Sequence, residues 1–403
     1  MNQSALIYDW NAVGGDVARS LDIEFDDETL RDGLQSPSVR NPTIEQKLEI
    51  LHLMAQLGIE AADVGLPGAG PHVVADVTRL VKEIADARLP IKPNCAARTV
   101  RADILPIIEI SQATGLALEV AAFIGSSPIR QYVEDWPLDM MLRATEEAVS
   151  LAVKNGLSVS YVTEDTTRAH PDTLRRLYKT AIECGAYRVV IADTVGHATP
   201  RGAAAVVSFI KRIIAETGEP VKVDWHGHND RGLGVINAIA AIEAGAQRVH
   251  ATALGIGERC GNVPMDQLLI NLQLMGYIDR DLSKLLNYCQ AVSRACGVPI
   301  PCNYPALGRD AFRTATGVHA AAVIKAYKKR DAHLANIVYS GVPAHLFGLE
   351  QIIEIGPVSG RSNVIYWLAK RGIEPTEERV GRIFDRAKRS TTVLTEEEVL
   401  ELV

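Results

Sequence analysis

Short apolar runs alternate with longer amphipathic patterns over the first two-thirds of the chain. Between the runs, apolar residues recur at helical spacing, and Thr43 with Gln46 predicts a capping box at the start of the first helix. Eight runs are typical of strands, at residues 23–28, 61–66, 91–96, 116–124, 157–163, 187–193, 221–226 and 248–254. Glycines are expected to end several of the helices, namely Gly58, Gly115, Gly156, Gly185 and Gly245.

This alternation predicts an α/β fold, specifically a (β/α)8 TIM barrel, with a doubly wound sheet as the alternative. We assign the predicted barrel to residues 23–277 and an N-terminal extension to residues 1–22. From about residue 278 the pattern becomes mainly helical, and the proline-rich stretch 299–305 indicates a connector. Residues 278–403 are therefore predicted to form a mainly helical C-terminal region.

The composition of the chain indicates which partners it can bind and in which cell compartment it works. The formal net charge of −7 argues against binding to nucleic acid or to an anionic membrane surface, because both attract positively charged proteins. The six cysteines include no C-x-x-C pair, which favours reduced thiols in a cytoplasmic enzyme over a disulfide framework. The N-terminus lacks a secretory leader pattern, and no apolar run reaches the ~18–20 residues of a membrane span. We expect a cytoplasmic protein with neither a nucleic acid nor a membrane as partner.

Polar residues gather directly after the predicted strands, in ETLRDG, TEDTTR, DTVGH, HGHND and GIGERCGN among others. A barrel builds its active site from the loops at the carboxyl ends of its strands. This distribution therefore predicts an enzyme with its site at that end.

The stretch VDWHGHNDRG places His226 and His228 two residues apart at the end of the seventh run. Alternate residues of a strand share one face, so both imidazoles should point the same way and form half a metal site. Taken alone, they could equally be polar residues bonded to backbone and water at a strand mouth. Asp32 and Asn262 fall at the same barrel end, and this mixed set suits Mn²⁺, Mg²⁺, Zn²⁺ or Co²⁺. The four positions together favour a metal.

Three motifs in this order, L-R-D-G-x-Q, H-x-H-N-D and G-x-G-E-R-x-G-N, resemble the DRE-TIM metallolyase superfamily. GERCGN and TEDTTR are similar to its Claisen-type synthases, which make 2-isopropylmalate, homocitrate or citramalate. The resemblance covers about residues 23 to 365, without the regulatory domain of leucine-pathway synthases. It implies a divalent metal (Mn²⁺, Mg²⁺ or Zn²⁺), acetyl-CoA and a 2-oxo acid as substrates, and a homodimer whose C-terminal regions complete the partner's site.

The resemblance also implies roles for individual residues. The implied metal ligands are Asp32, His226, His228 and Asn262. The implied catalytic residues are Arg31, Glu164, His319 and Tyr339, with Glu164, His319 or the pair taking the proton from acetyl-CoA. The substrate-binding candidates are Gln35, Asp63, Thr194 and Arg98.

Several departures from the family pattern surround the substrate pocket. Asp63 stands where a glutamate is usual, and this shorter carboxylate is expected to reach Arg31 less directly. Leu34 is similar to the residue of hydroxymethylglutaryl-CoA lyases, and Ala121 or Ala122 replaces a histidine common in isopropylmalate synthases. The identity of the oxo acid therefore stays open in the sequence.

2-Oxoisovalerate is the first choice of acceptor. 2-Oxoglutarate follows closely, because Arg98 and Arg130 could bind its second carboxylate, and pyruvate is third. A hydroxymethylglutaryl-CoA lyase, a biotin-dependent carboxyltransferase and a barrel that binds metabolites without catalysis are weaker alternatives. The GERCGN loop argues against the lyase, and no strand-end lysine with the carboxyltransferase motif is evident. The intact set of candidate residues argues against a barrel without catalysis.

Overall fold

A computed structural model describes residues 6–12 and 21–403. Eight parallel strands form a closed barrel in sequential order. They are β1 (Glu24–Asp27), β2 (Ala61–Asp63), β3 (Lys92–Arg98), β4 (Glu119–Gly125), β5 (Ser158–Glu164), β6 (Arg188–Asp193), β7 (Lys222–Gly227) and β8 (Arg248–Ala251). Each overlaps one predicted run, so the predicted (β/α)8 barrel is confirmed and the doubly wound alternative is wrong. Of the predicted extension 1–22, only residues 6–12 and 21–22 lie within the described part of the chain.

Helices follow the strands along the chain. They are α1 (Ile44–Gln56), α2 (Pro71–Asp86), α3 (Arg101–Thr114), α4 (Pro128–Glu134), α5 (Leu138–Lys154), α6 (Pro171–Glu183), α7 (Pro200–Thr217), α8 (Gly234–Glu243) and α9 (Met265–Leu274). The predicted capping box at α1 is present, since Thr43 Oγ1 accepts from the Gln46 N–H and the Gln46 side chain accepts from the Thr43 N–H. The five glycines predicted to end helices all have positive φ, which a side chain would strain.

Contacts divide the chain into two compact units. The first comprises residues up to Arg280 together with Asn287–Val298, and the second comprises Asp281–Leu286 and Pro299–Val403. The boundary predicted at residue 277 lies close to the first division. Helix α10 (Leu285–Cys296), which the sequence assigned to the C-terminal region, falls mostly in the barrel unit.

The second unit is mainly helical. Its elements are β9 (Arg313–Thr314), α11 (Gly317–Lys328), α12 (Ala332–Ile337), β10 (Ile352–Ile353), α13 (Arg361–Lys370), α14 (Glu377–Arg389) and α15 (Glu396–Leu400). One apolar core is formed by α13, α14 and α15 around Trp367 and Ile383. A smaller one joins α11 and α12 around Val323 and Ala335. None of the helices within residues 6–12 and 21–403 has the length and apolarity needed to cross a membrane.

A layer of buried charges fills the amino-terminal end of the barrel interior. Arg248 opens β8, and its guanidinium contacts Asp224 at 2.7 Å and Glu119 at 2.5 Å. Arg188 opens β6 and contacts the other oxygen of Asp224 at 2.6 Å. Burial would raise the pKa of Asp224, but the charges of Arg248, His250 and Arg188 outweigh burial and lower it. The layer is therefore an ionised network in which each charge depends on its neighbours.

Arg248→Met tests how strongly the barrel depends on this layer. We expect the free energy of unfolding to fall by about 3–5 kcal/mol, because two buried carboxylates lose their main counter-charge. The control is Arg294→Met, since the Arg294 side chain is 63% exposed and contacts Glu49 at 3.3 Å. That variant should lose less than about 1 kcal/mol. Urea unfolding followed by circular dichroism measures both, and equal losses would contradict the expectation.

Candidate active site

The carboxyl ends of the strands surround a cavity of about 380 Å³. Every strand or the loop after it contributes to the lining, as the sequence predicted for a barrel enzyme. The polar and charged lining residues are Glu28, Arg31, Asp32, Gln35, Glu164, Thr194, His226, His228, His250, Glu258 and Arg259. The apolar ones are Leu66, Ala96, Ala121, Phe123, Val162, Val190 and Ala192.

Asp32, His226 and His228 converge at this cavity. His226 belongs to β7 and His228 follows its end, so strand alternation brings their rings to 5.1 Å between centroids. Oδ2 of Asp32 lies 3.5 Å from Nε2 of each imidazole. Burial would raise the pKa of Asp32, but Arg31 and the two histidines lower it to about 2. One anionic oxygen and two imidazole nitrogens thus face a common point.

Two buried oxygens at this place suit a cation. Oδ1 of Asp32 and Oδ1 of Asn262 are buried without a hydrogen-bond partner among residues 6–12 and 21–403. Asn262 forms a β-bridge with His228, and its Nδ2 donates to the carbonyl of Ile256, which leaves Oδ1 free to ligate. Orphaned acceptors are costly when buried, and a divalent ion would satisfy both. These four residues are therefore the ones that could hold a metal.

The GIGERCGN loop owes its path to a glycine. Gly261 has a φ of +87°, and a Cβ there would lie 1.8 Å from the carbonyl oxygen of Gly255. Only glycine permits this close approach of two backbone segments. The approach presents Asn262 beside His228.

Arg31 is held by three carboxylates beside the predicted metal position. Its Nε donates to Oδ2 of Asp63 at 2.7 Å, and its Nη atoms lie 2.9 Å from Glu28 and 3.6 Å from Asp32. The expectation that Asp63 would reach Arg31 less directly is wrong, because the barrel brings the ends of β1 and β2 together. Asp63 lies beneath Arg31 and is buried.

Glu164 and Thr194 line the opposite part of the cavity. Glu164 ends β5, and burial raises the pKa of its carboxyl above the usual 4.5 although Arg130 opposes the shift. Thr194 Oγ1 accepts from the Asp165 N–H at 2.8 Å, so its own hydroxyl hydrogen remains free to donate. Gln35 is exposed at the rim of the cavity.

Three predicted site residues, Arg98, His319 and Tyr339, are not among the described residues that line this cavity. Arg98 makes a bidentate pair with Asp103 at 2.8 and 2.9 Å, with its side chain 61% exposed. His319 and Tyr339 both belong to the C-terminal unit, where they are exposed and their rings lie 4.3 Å apart. The sequence predicted both without linking them to each other.

A model of the HMGL-like family matches residues 22–292 of the chain. The chain belongs to this family. The match confirms the resemblance to the DRE-TIM superfamily, and two relatives from Methanopyrus kandleri extend it. Homocitrate synthase AksA is 35% identical over 366 residues, covering 90% of this chain and 86% of that protein. A probable 2-isopropylmalate synthase is 33% identical over 366 residues, covering 90% of this chain and 68% of that protein.

Solved structures with the HMGL-like barrel share its fold at low identity. An HMG-CoA lyase from Bacillus subtilis is 18% identical, with a TM-score of 0.59, and the match covers 70% of this chain and 97% of that one. The carboxyl transferase domain of Rhizobium etli pyruvate carboxylase is 14% identical, with a TM-score of 0.52, covering 68% of this chain and 47% of that one.

Sequence reasoning missed Glu28 and His250, which the HMGL-like barrel places against the predicted metal ligands. Oε1 of Glu28 lies 2.8 Å from Nδ1 of His250, and Oε2 lies 2.9 Å from Nδ1 of His226. Burial would lower the pKa of His250, but Glu28 and Asp224 raise it to about 10. A signal existed in the pattern of β8, since a histidine inside a buried strand needs a polar partner.

His228→Ala tests the ligand set directly. We expect at least ~10-fold weaker Mn²⁺ binding, because one of two converging imidazoles is lost. Isothermal titration of metal-stripped protein gives the dissociation constant. The matched control is His52→Ala on α1, whose imidazole contacts Glu83 and is 40% exposed. Unchanged Mn²⁺ affinity in His228→Ala would remove this residue from the ligand set.

Proposed function

We propose that this chain catalyses a metal-dependent, Claisen-type condensation of acetyl-CoA with a 2-oxo acid, with 2-oxoisovalerate as first choice and 2-isopropylmalate as product. The supporting observation is the cavity that gathers Asp32, His226 and His228 with Arg31 and Glu164. The relatives named homocitrate synthase and 2-isopropylmalate synthase support the same reaction class. Asp32, His226, His228 and Asn262 are the proposed ligands.

A bound divalent metal would act as a Lewis acid on the keto and carboxylate oxygens of the 2-oxo acid. Thr194 would donate its free hydroxyl hydrogen to the substrate carboxylate. Arg31, fixed by Glu28 and Asp63, would donate to the oxygen on which negative charge develops. Because these donors are already held in place, they require little rearrangement during the reaction.

Glu164 is the proposed base, since its raised pKa brings it closer to the strength that proton abstraction at neutral pH requires. Its carboxylate would take a proton from the acetyl methyl group. The methyl carbon then bonds to the keto carbon, and the carbonyl electron pair moves to the oxygen, which becomes protonated. Water then cleaves the thioester and releases the thiol of CoA. The proton that Glu164 removed is the one that returns to the former keto oxygen, and the hydrolysis consumes one water and releases a carboxylate, a proton and the thiol.

The lining of the cavity favours an apolar acceptor. Small and apolar side chains form part of its wall, including Ala121, Val162 and Val190. Arg98 and Arg130, the cations considered for 2-oxoglutarate, are engaged by Asp103 and Glu134. A short branched side chain would fit such a wall, whereas a second carboxylate would lose hydration there.

Homocitrate synthesis remains the second candidate on two observations. Relatives carrying that name are 35% identical in Methanopyrus kandleri and 31% identical in Saccharolobus islandicus. Arg259 also lines the cavity, although its guanidinium contacts Asp230 at 2.8 Å and the carbonyl of Thr194 at 2.6 Å. A 2-oxoglutarate carboxylate would have to compete with Asp230 for this cation. Citramalate synthesis from pyruvate is the third.

An assay with four different 2-oxo acids tests whether the chain catalyses this condensation and which acid it accepts. Metal-stripped protein would receive acetyl-CoA, Mn²⁺ or Mg²⁺, and one of 2-oxoisovalerate, 2-oxoglutarate, pyruvate or glyoxylate, with thiol release as the measurement. We expect metal-dependent release of thiol that is fastest with 2-oxoisovalerate.

Glu164→Gln should bind Mn²⁺ as the wild type does, and its turnover rate should be ~10²–10⁴-fold lower than that of the wild type. Activity of the wild type should fall as the pH falls through the raised pKa of Glu164, because the base must be ionised.

If the wild type binds metal but releases no thiol from acetyl-CoA with any of the four 2-oxo acids, the proposed function is contradicted.

We also propose a homodimer in which the C-terminal unit of one chain supplies His319 and Tyr339 to the barrel of the other. The exposure of both side chains and the 4.3 Å contact between their rings support this arrangement. Mixing inactive His319→Ala with inactive Glu164→Gln should then restore up to about a quarter of the wild-type activity, because half of the dimers would be mixed and carry one intact site. No recovery after exchange of subunits, verified by mass, would contradict a shared site.

A further inference from the structure

Glu28 contacts three residues of the candidate active site, although the mechanism proposed above uses only its contact with Arg31. Its side chain is buried. Oε2 lies 2.9 Å from Nδ1 of His226, while Oε1 lies 2.8 Å from Nδ1 of His250 and 2.9 Å from Nη2 of Arg31. One carboxylate therefore joins a proposed metal ligand, the proposed charge-stabilising arginine and a second buried histidine.

These distances distinguish Glu28 from the proposed ligands. Glu28, His226 and His250 could in principle hold a metal of their own. Nδ1 of His250 is hydrogen-bonded to Oε1 of Glu28 at 2.8 Å, however, and the guanidinium of Arg31 occupies the same Oε1. Oε2 lies 2.9 Å from Nδ1 of His226 as a close charge contact that lacks hydrogen-bond geometry. Asp32 instead stands 3.5 Å from each Nε2, a wider gap suited to an ion between them. The carboxylate of Glu28 therefore holds His250 and Arg31 and faces His226 beside the metal position.

The position of Glu28 is itself fixed from the barrel interior. Nε2 of His250 lies 3.4 Å from Oδ2 of Asp224, which Arg188 and Arg248 hold in the buried charged layer. His250 pairs with Asp26 of β1 and with His226 of β7 in the strand register. A continuous chain of contacts thus runs from Asp224 through His250 and Glu28 to His226.

We propose that Glu28 is a positioning residue whose Oε2, 2.9 Å from Nδ1 of His226, accepts the Nδ1–H of that ring when Nε2 ligates the metal and so keeps the Nε2 lone pair turned toward the ion. An ionised carboxylate only accepts hydrogen bonds, so the nitrogen facing it must carry the proton. Partners of this kind orient metal-binding histidines and increase their basicity. The same carboxylate keeps Arg31 beside Asp32. This inference rests on the metal site of the proposed function.

Glu28→Gln tests the proposal, because an amide keeps the shape but has only one accepting oxygen for two imidazoles and a guanidinium. We expect Mn²⁺ to bind about 10–100-fold more weakly to the metal-stripped variant, measured by isothermal titration without substrates. The matched control is Glu119→Gln, since Glu119 is equally buried but binds Arg248 in the charged layer. That variant should lower the unfolding midpoint and leave Mn²⁺ affinity within about threefold of the wild type.

The outcomes separate this proposal from the proposed function. Absence of Mn²⁺ binding by the wild type would overturn both. Equal Mn²⁺ affinity in the wild type and Glu28→Gln would overturn the positioning role and leave the proposed function intact. Two ions per wild-type chain and one per Glu28→Gln chain would make Glu28 a metal ligand and would also overturn the positioning role.

If the Glu28→Gln variant fails to fold, ¹⁵N NMR of the histidine rings in the Zn²⁺-loaded wild type tests the positioning role instead. Nε2 ligation of His226 supports the proposal, and Nδ1 ligation overturns it.

Discussion

The burial of several charges that compensate one another is the constraint on which the barrel mouth depends. Arg31 meets Glu28, Asp32 and Asp63, and two of these carboxylates also meet imidazoles. Burying any one of these groups alone would be strongly unfavourable, so each is stable only because the others are present. This mutual dependence explains why the loop after β1 is held so closely against β2, β7 and β8. It also holds the donors at fixed positions before any substrate arrives.

Two layers of charge share the barrel interior and are joined by one histidine. The lower layer contains Arg188, Arg248 and Asp224, and the upper layer contains the residues around Arg31. His250 lies between them, with one ring nitrogen toward Asp224 and the other toward Glu28. A side chain that packs inside the barrel therefore also lines the candidate active site. The rigidity of parallel strands at both ends of this connection keeps the site geometry constant.

The C-terminal unit has a different organisation. Its helices enclose two small apolar cores and present His319 with Tyr339 at the surface. The proposed shared site offers a use for this ring pair, and the barrel would supply the other proposed site residues from loops that follow different strands. Function would then depend on assembly as well as on the fold of one chain.

The sequence by itself determined the barrel, the strand positions, the capping box at Thr43 and the shared face of His226 and His228. These features follow from local periodicity and from short motifs, which act over a few neighbouring residues. Only the tertiary structure decided that Asp63 reaches Arg31 directly, that Arg98 turns to Asp103, and that Glu28 lies against His226 and His250. The contact of Glu28 with His250 spans 222 residues and depends on the register of β1 beside β8, and Asp63 meets Arg31 because β1 pairs with β2. Arg98 and Asp103 are only five residues apart, but periodicity does not state that the two side chains turn toward each other. Periodicity states which face a side chain occupies, but closure of the barrel selects the partner that it meets there.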